Sequence, residues 1–253
     1  MSQEKTFYKP IFRHLLPFGW KAGLILLLIF SLPRFYLVLQ ANKTGSYQWV
    51  SMVFVAMMLM PFLLLTRQGR QKIGWSKPRN MLVLLGSLLW GMLACSAIFA
   101  LFYGLYGDSI ANAFVYIART YNQLPSPLDA DSRLLFFLIF SLVSMTFSPI
   151  GEELFYRGII HENFAETLGD QKAAYIDALA FALVHLAHFG LIVDQNTWHF
   201  LPIPALLWVT GLWFTCLLFN RMRRRSGSIL GAILTHAGFN LAMNFFIFYF
   251  LLK

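Results

Sequence analysis

Apolar residues in this chain come in runs far longer than a soluble helix or strand needs, broken by short polar stretches. About 20 apolar residues, coiled at about 1.5 Å per residue, match the hydrocarbon thickness of a bilayer. Seven such runs are read: 15–39, 47–65, 81–103, one starting near Arg133, 173–193, 201–220 and 228–251. In the first, Pro33-Arg34 reads as a kink or an approach to the outer surface, followed by a polar loop at 40–46. Segment 104–132 mixes Asp108, Arg119, Asp129 and Asp131 with the partly apolar stretch 110–117. It reads as an external loop carrying one interfacial helix, ended by Pro125 and Pro127. Residues 161–172 (HENFAETLGDQK) read as a polar cytoplasmic connector, and 194–200 as a short outer loop.

Only helices and closed barrels satisfy their backbone in lipid, and these runs are too long for barrel strands. The expected fold is therefore all-α: a polytopic transmembrane helical bundle of about seven spans. It is read as a single integral membrane domain, 1–253, in which two spans and a basic loop (1–80) precede a core at 81–253. No internal repeat is evident, which counts against a transporter built from duplicated halves.

Composition supports this class. Charged residues make up 12% of the chain, against about a quarter in soluble domains, which leaves no room for a sizeable soluble domain. A net charge of +9 would point to nucleic acid in a soluble protein. Here nine of the 20 cations sit in two short breaks, TRQGRQKIGWSKPRN (66–80) and RMRRR (221–225), neither containing an acid. They read as topology determinants and lipid-headgroup contacts, with no nucleic-acid partner. The positive-inside rule places both breaks and the N-terminus in the cytoplasm, and the compact basic chain suggests a bacterial inner membrane. Cys95 and Cys216 fall within apolar runs and read as buried small hydrophobes. The basic N-terminus lacks a small-residue cleavage site, so an uncleaved first span is expected rather than a signal peptide. No lipidation signal is read at either end.

Against this background SPIGEELFYR (148–157) stands out, because ionisable groups at bilayer depth are costly and mark functional sites. Glu153 and Arg157 are spaced i,i+4 and can pair. Glu152 is turned about 100° away, which leaves it free for chemistry. Pro149 and Gly151 loosen the helix just before the pair. Two further clusters lie at compatible depth: Phe181 with His185, and His236 with Asn240 and, a turn on, Asn244. Gly231, Gly238 and Ala242 allow close helix approach there. Taken singly, each polar group fits a packing role: a clamp for Glu153–Arg157, helix glue for Asn240, hydrogen-bonded core residues for His188 and His199. Their coincidence on three helices, in one layer reached from the cytoplasmic side, points instead to a site.

EELFYR (Glu152–Arg157), FALVH (Phe181–His185) and HAGFN (His236–Asn240) resemble, in order and separation, the EExxxR, FxxxH and HxxxN motifs of the CPBP family. These are glutamic-type intramembrane proteases that include CaaX prenyl endopeptidases and bacterial Abi proteins. The resemblance spans roughly 81–244, and KIGWSKP (Lys72–Pro78) is similar to the basic stretch often preceding the family core. It implies an endopeptidase acting on a membrane-associated protein or peptide. Glu152 with His185 would activate water, His236 and Asn240 would donate to the oxyanion, and Glu153 and Arg157 would hold the carboxylates, with no metal or cofactor. His188 has no role in the pattern; it either lines the site or packs. The alternatives are a non-catalytic peptide-binding or bacteriocin self-immunity protein and, less favoured, a Zn²⁺ enzyme ligated by Glu152, His185 and His236. Substrate identity and oligomeric state are not legible.

Overall fold

The structure, a computed structural model, describes residues 7–121, 123–125 and 127–252. Residues 1–6, part of the stretch read for a leader or lipid anchor, lie outside these. The elements run α1 (Pro10–Arg13), α2 (Trp20–Thr44), α3 (Gln48–Leu64), α4 (Arg67–Lys72), α5 (Met81–Tyr106), α6 (Ala113–Arg119), α7 (Ala130–Leu168), α8 (Asp170–Val184), β1 (Leu191–Asp194), β2 (Thr197–Phe200), α9 (Pro202–Ser226) and α10 (Ile229–Leu251). Five of them, α2, α5, α7, α9 and α10, are long and apolar enough to cross a membrane. The other two expected spans are shorter: α3 has 17 residues and α8 has 15.

Local chemistry sets the boundaries. Asn80, Asp129 and Ser228 cap α5, α7 and α10, each side-chain oxygen accepting a backbone N–H of the first turn. α2 and α9 end at Gly45 and Gly227, both in the left-handed region. The first span, α2, starts five residues later than the hydropathy suggests, because Gly19 at φ +147° precedes it. The stretch read as a loop at 40–46 is mostly its last turns.

Two further readings are corrected. The fifth run does not stay helical to 193: α8 ends at Val184 and a 3₁₀ turn, His185–Ala187, leads into a hairpin. There Leu191–Asp194 pairs antiparallel with Thr197–Phe200 across Gln195-Asn196, both at positive φ, as a two-residue hairpin turn requires. The polar connector is not a loop; α7 continues through it and buries His161, Glu162 and Asn163. Within α7, residues Glu153–Ile160 form a π-helical stretch, every residue of it buried. Such widenings are frequent at functional sites.

Close packing fixes α10 against α5. A Cβ at Gly91 would strike the Thr235 carbonyl, and one at Gly238 the Leu88 carbonyl. Gly151 likewise lies against the Phe54 carbonyl, seating α3 on α7 beside Glu152. The two basic breaks lie together on one face. Ile229 N–H donates to Gly74 O (2.8 Å), Arg79 N–H donates to Ser226 O (2.7 Å), and Lys72 pairs with Glu166 (2.9 Å). Cys95 and Cys216 are buried free thiols, as read.

Candidate active site

α7 presents both glutamates, and the pattern around them is built from charge pairs. Glu153 Oε2 lies 3.2 Å from Arg157 Nε, the expected i,i+4 pair, with both side chains fully buried. The guanidinium stacks over Phe181, 4.3 Å from the ring centre. Glu152 is not free. Its Oε1 is 2.6 Å from Arg34 Nη2, and both side chains are 1% exposed. Arg34 therefore does not approach the outer surface; helix α2 carries it into the centre of the bundle. Ser148 donates its hydroxyl to Glu152 Oε2 at 2.8 Å.

Both motif histidines converge on Glu152. His185 Nε2 lies 4.0 Å from Oε1, and His236 Nε2 lies 3.8 Å from Oε2. The glutamates do not face apart, since His236 Nδ1 also donates to Glu153 Oε1 at 2.9 Å. That ring bridges the two carboxylates and is stacked on Phe219. The His185 tautomer follows from its neighbours. Nδ1 sits 2.7 Å from the Phe181 carbonyl, which can only accept, so Nδ1 carries the proton. Nε2 is then the lone-pair nitrogen, facing Arg34 Nη2 at 3.2 Å. Phe181 and His188 stack on its two faces.

Asn240 lies one turn further along α10, and its amide donates to the Ser144 carbonyl (2.8 Å). Asn244 donates to Ser144 Oγ (2.8 Å) and accepts from Tyr121 (3.1 Å). All these groups lie along a cavity of about 460 Å³, with Arg34, His185, His188, His236, Asn240 and Asn244 in its wall. Glu152 sits just behind this wall. The cavity extends to Gly45, Tyr47, Thr120 and Leu124. These lie at the ends of α2 and α6 remote from the basic breaks, so the site opens away from the basic face, not toward it as the sequence suggested.

Below the glutamates the basic face is closed by ions the motifs do not include. Asp177 takes hydrogen bonds from His161 Nδ1 (2.7 Å) and Asn220 (2.9 Å) and lies 3.7 Å from Arg157 Nε. His161 Nε2 reaches Asp170 at 2.9 Å, so its ring presents a donor to each of two carboxylates. His161 and Arg224 together hold the exposed Asp170 carboxyl well below its ordinary range. Arg223 pairs with Glu162. His188 proves to be a cavity-wall residue. His199 is not a packing residue but lies on the exposed hairpin, its ring bonded to Thr197.

Arg34, Ser148, His161 and Asp177 were missed by sequence reasoning. Asp177 stands two helical turns before His185 in an otherwise apolar stretch, the kind of lone intramembrane acid that asks for a partner. Arg34, a lone cation inside an apolar run, carried the same signal.

No curated protein and no solved structure matches the chain. Residues 134–242 match the family described as type II CAAX prenyl endopeptidase Rce1-like. That span holds Glu152, Glu153, Arg157, His185, His236 and Asn240, and over it the chain is similar to the CAAX-type peptidases, hydrolases acting on peptide bonds; its five long apolar helices fit an integral membrane protein.

Proposed function

We propose that the site hydrolyses a peptide bond of a membrane-associated protein or peptide precursor with water activated between Glu152 and His185. The observation that carries the reading is the fixed His185 tautomer, which makes Nε2 an acceptor 4.0 Å from Glu152 Oε1, its lone pair passing from Arg34 Nη2 at 3.2 Å to the water when the water binds. A water about 2.8 Å from each atom fits that separation. Two acceptors then take its hydrogens and turn a lone pair toward the cavity, where general-base catalysis contributes about 10²–10⁴-fold. Asn240, on the same wall, serves the carbonyl oxygen of the scissile bond with its second amide hydrogen, and His236 lines the cavity beside it. Glu153 and Arg157 fix His236 from behind through the 2.9 Å bond to Nδ1. With the basic face in the cytoplasm, as positive-inside bias favours, the cavity opens on the outer side of a bacterial inner membrane.

The test uses purified protein in lipid nanodiscs and quenched-fluorescent peptides ending in Cys-aliphatic-aliphatic-X, with and without a farnesyl group. Glu152→Gln and His185→Ala abolish cleavage while eluting as the wild type does. Full activity in Glu152→Gln refutes the mechanism. The proposal assigns no metal; cleavage lost in chelator and restored by Zn²⁺ would replace it with the zinc alternative.

A further inference from the structure

Among the side chains of the cavity wall that meet or flank Glu152, the spare donors lie mostly on Arg34. His185 spends its N–H on the Phe181 carbonyl, and His236 spends Nδ1–H on Glu153. Asn240 gives one amide hydrogen to the Ser144 carbonyl. Arg34 has five N–H groups. Nη2 serves Glu152 and His185, while Nε and Nη1 are buried and have no hydrogen-bond partner among the described residues. A buried donor without a partner is expensive, more so when charged. Yet Arg34 is part of the cavity wall, beside Phe54 and His185. It lies on α2, a hundred residues before the span that matches the family.

Resting on the hydrolytic reading above, we infer that Arg34 is a catalytic residue that takes the scissile carbonyl oxygen on its free N–H groups as negative charge develops. The charge balance favours it. At rest the guanidinium and the Glu152 carboxylate cancel. In the attack, a water lone pair forms the new C–O bond, the carbonyl π pair moves onto oxygen, and the water proton goes to Glu152. Glu152 becomes neutral at the moment the oxyanion appears, so Arg34 exchanges one anion for another and no net charge is created in the apolar cavity. On collapse, Glu152 returns the proton to the leaving amine as the C–N bond breaks. Such an interaction is stronger in the transition state than in the ground state, which is what raises turnover.

The experiment compares wild type, Arg34→Lys and Arg34→Gln on the farnesylated quenched peptide and on its phosphinate analogue, a tetrahedral anion at the scissile position. Arg34→Lys keeps a cation beside Glu152 and so keeps the fold, but it lacks the paired donors. The expected result is a loss of about 10²–10³-fold in kcat, KM within about threefold, and phosphinate affinity falling in proportion to kcat/KM. Wild-type kcat in Arg34→Lys overturns the assignment. So does a fall in kcat with phosphinate affinity unchanged, which would leave Arg34 as a mere counter-ion for Glu152. If Arg34→Gln aggregates, the lysine variant and the phosphinate arm decide. Phosphinate binding reads Arg34 even where the peptide is a poor substrate. Failure of the hydrolytic reading is seen separately, as full cleavage by Glu152→Gln.

Discussion

Replacing Asp177 with asparagine tests the ion lattice beneath the site. The side chain is wholly buried and meets His161 at 2.7 Å, Asn220 at 2.9 Å and Arg157 at 3.7 Å. Asparagine preserves shape and one acceptor, so no void opens; what disappears is the charge between two buried cations. Breaking a buried pair by removing one partner costs about 3–5 kcal/mol, mostly because the remaining charge is stranded. For a chain of this size about 1 kcal/mol moves Tm by about 2–4 °C, so a fall of roughly 10 °C is expected. The 7 tryptophans provide a fluorescence readout during heating in detergent. Adding His161→Asn removes one stranded cation, so the double variant should be more stable than the two single losses add up to. An Asp177→Asn protein melting within about 2 °C of wild type, or strictly additive variants, would refute the account of the lattice as a coupled charge system.

Ser148→Ala removes the hydroxyl given to Glu152 Oε2 at 2.8 Å. A hydrogen bond to a charged group contributes about 1.5–3 kcal/mol to stability, so Tm should fall by roughly 3–12 °C, and cleavage should fall with it as Glu152 loses the bond that orients it; an unchanged Tm and turnover would refute the bond. Gly238→Val drives a side chain into the Leu88 carbonyl and should give aggregated protein on size exclusion. Gly86→Ala, whose Cβ meets nothing within 4 Å, is the neutral control.

The helices were legible because lipid leaves the backbone few choices: long apolar runs had to be helical, and Gly238 did mark a close crossing. The partners of the glutamates on α8 and α10 were also legible, since i,i+4 spacing fixes a shared face. Partners held by tertiary contact were not. Arg34, as a lone cation in an apolar run, asks for a partner, but nothing local says which; only the packing of α2 against α7 makes it Glu152's counter-ion. The π-helical stretch was invisible for a related reason. Its residues read as an ordinary helix, and the change of pitch answers what surrounds it. The hairpin at 191–200 was hidden by hydropathy, which ranks Leu191, Ile192 and Val193 as membrane residues although the β-branching of Ile192 and Val193 suits a strand equally well.

The lattice of Glu153, Arg157, Asp177, His161, Glu162 and Arg223 also bears on the membrane as an insulator. A polar chamber open at both ends would let ions run down the transmembrane potential, about 2.3 kcal/mol for each charge per 100 mV. Here the chamber ends blindly on neutralised, mutually locked charges, with Arg157, Asp177 and Glu153 wholly buried. Water can be brought to a peptide bond inside the bilayer while the bilayer stays sealed. A fragment lodged in the mouth beside Gly45, Tyr47 and Leu124 would block intake and release alike wherever both use it.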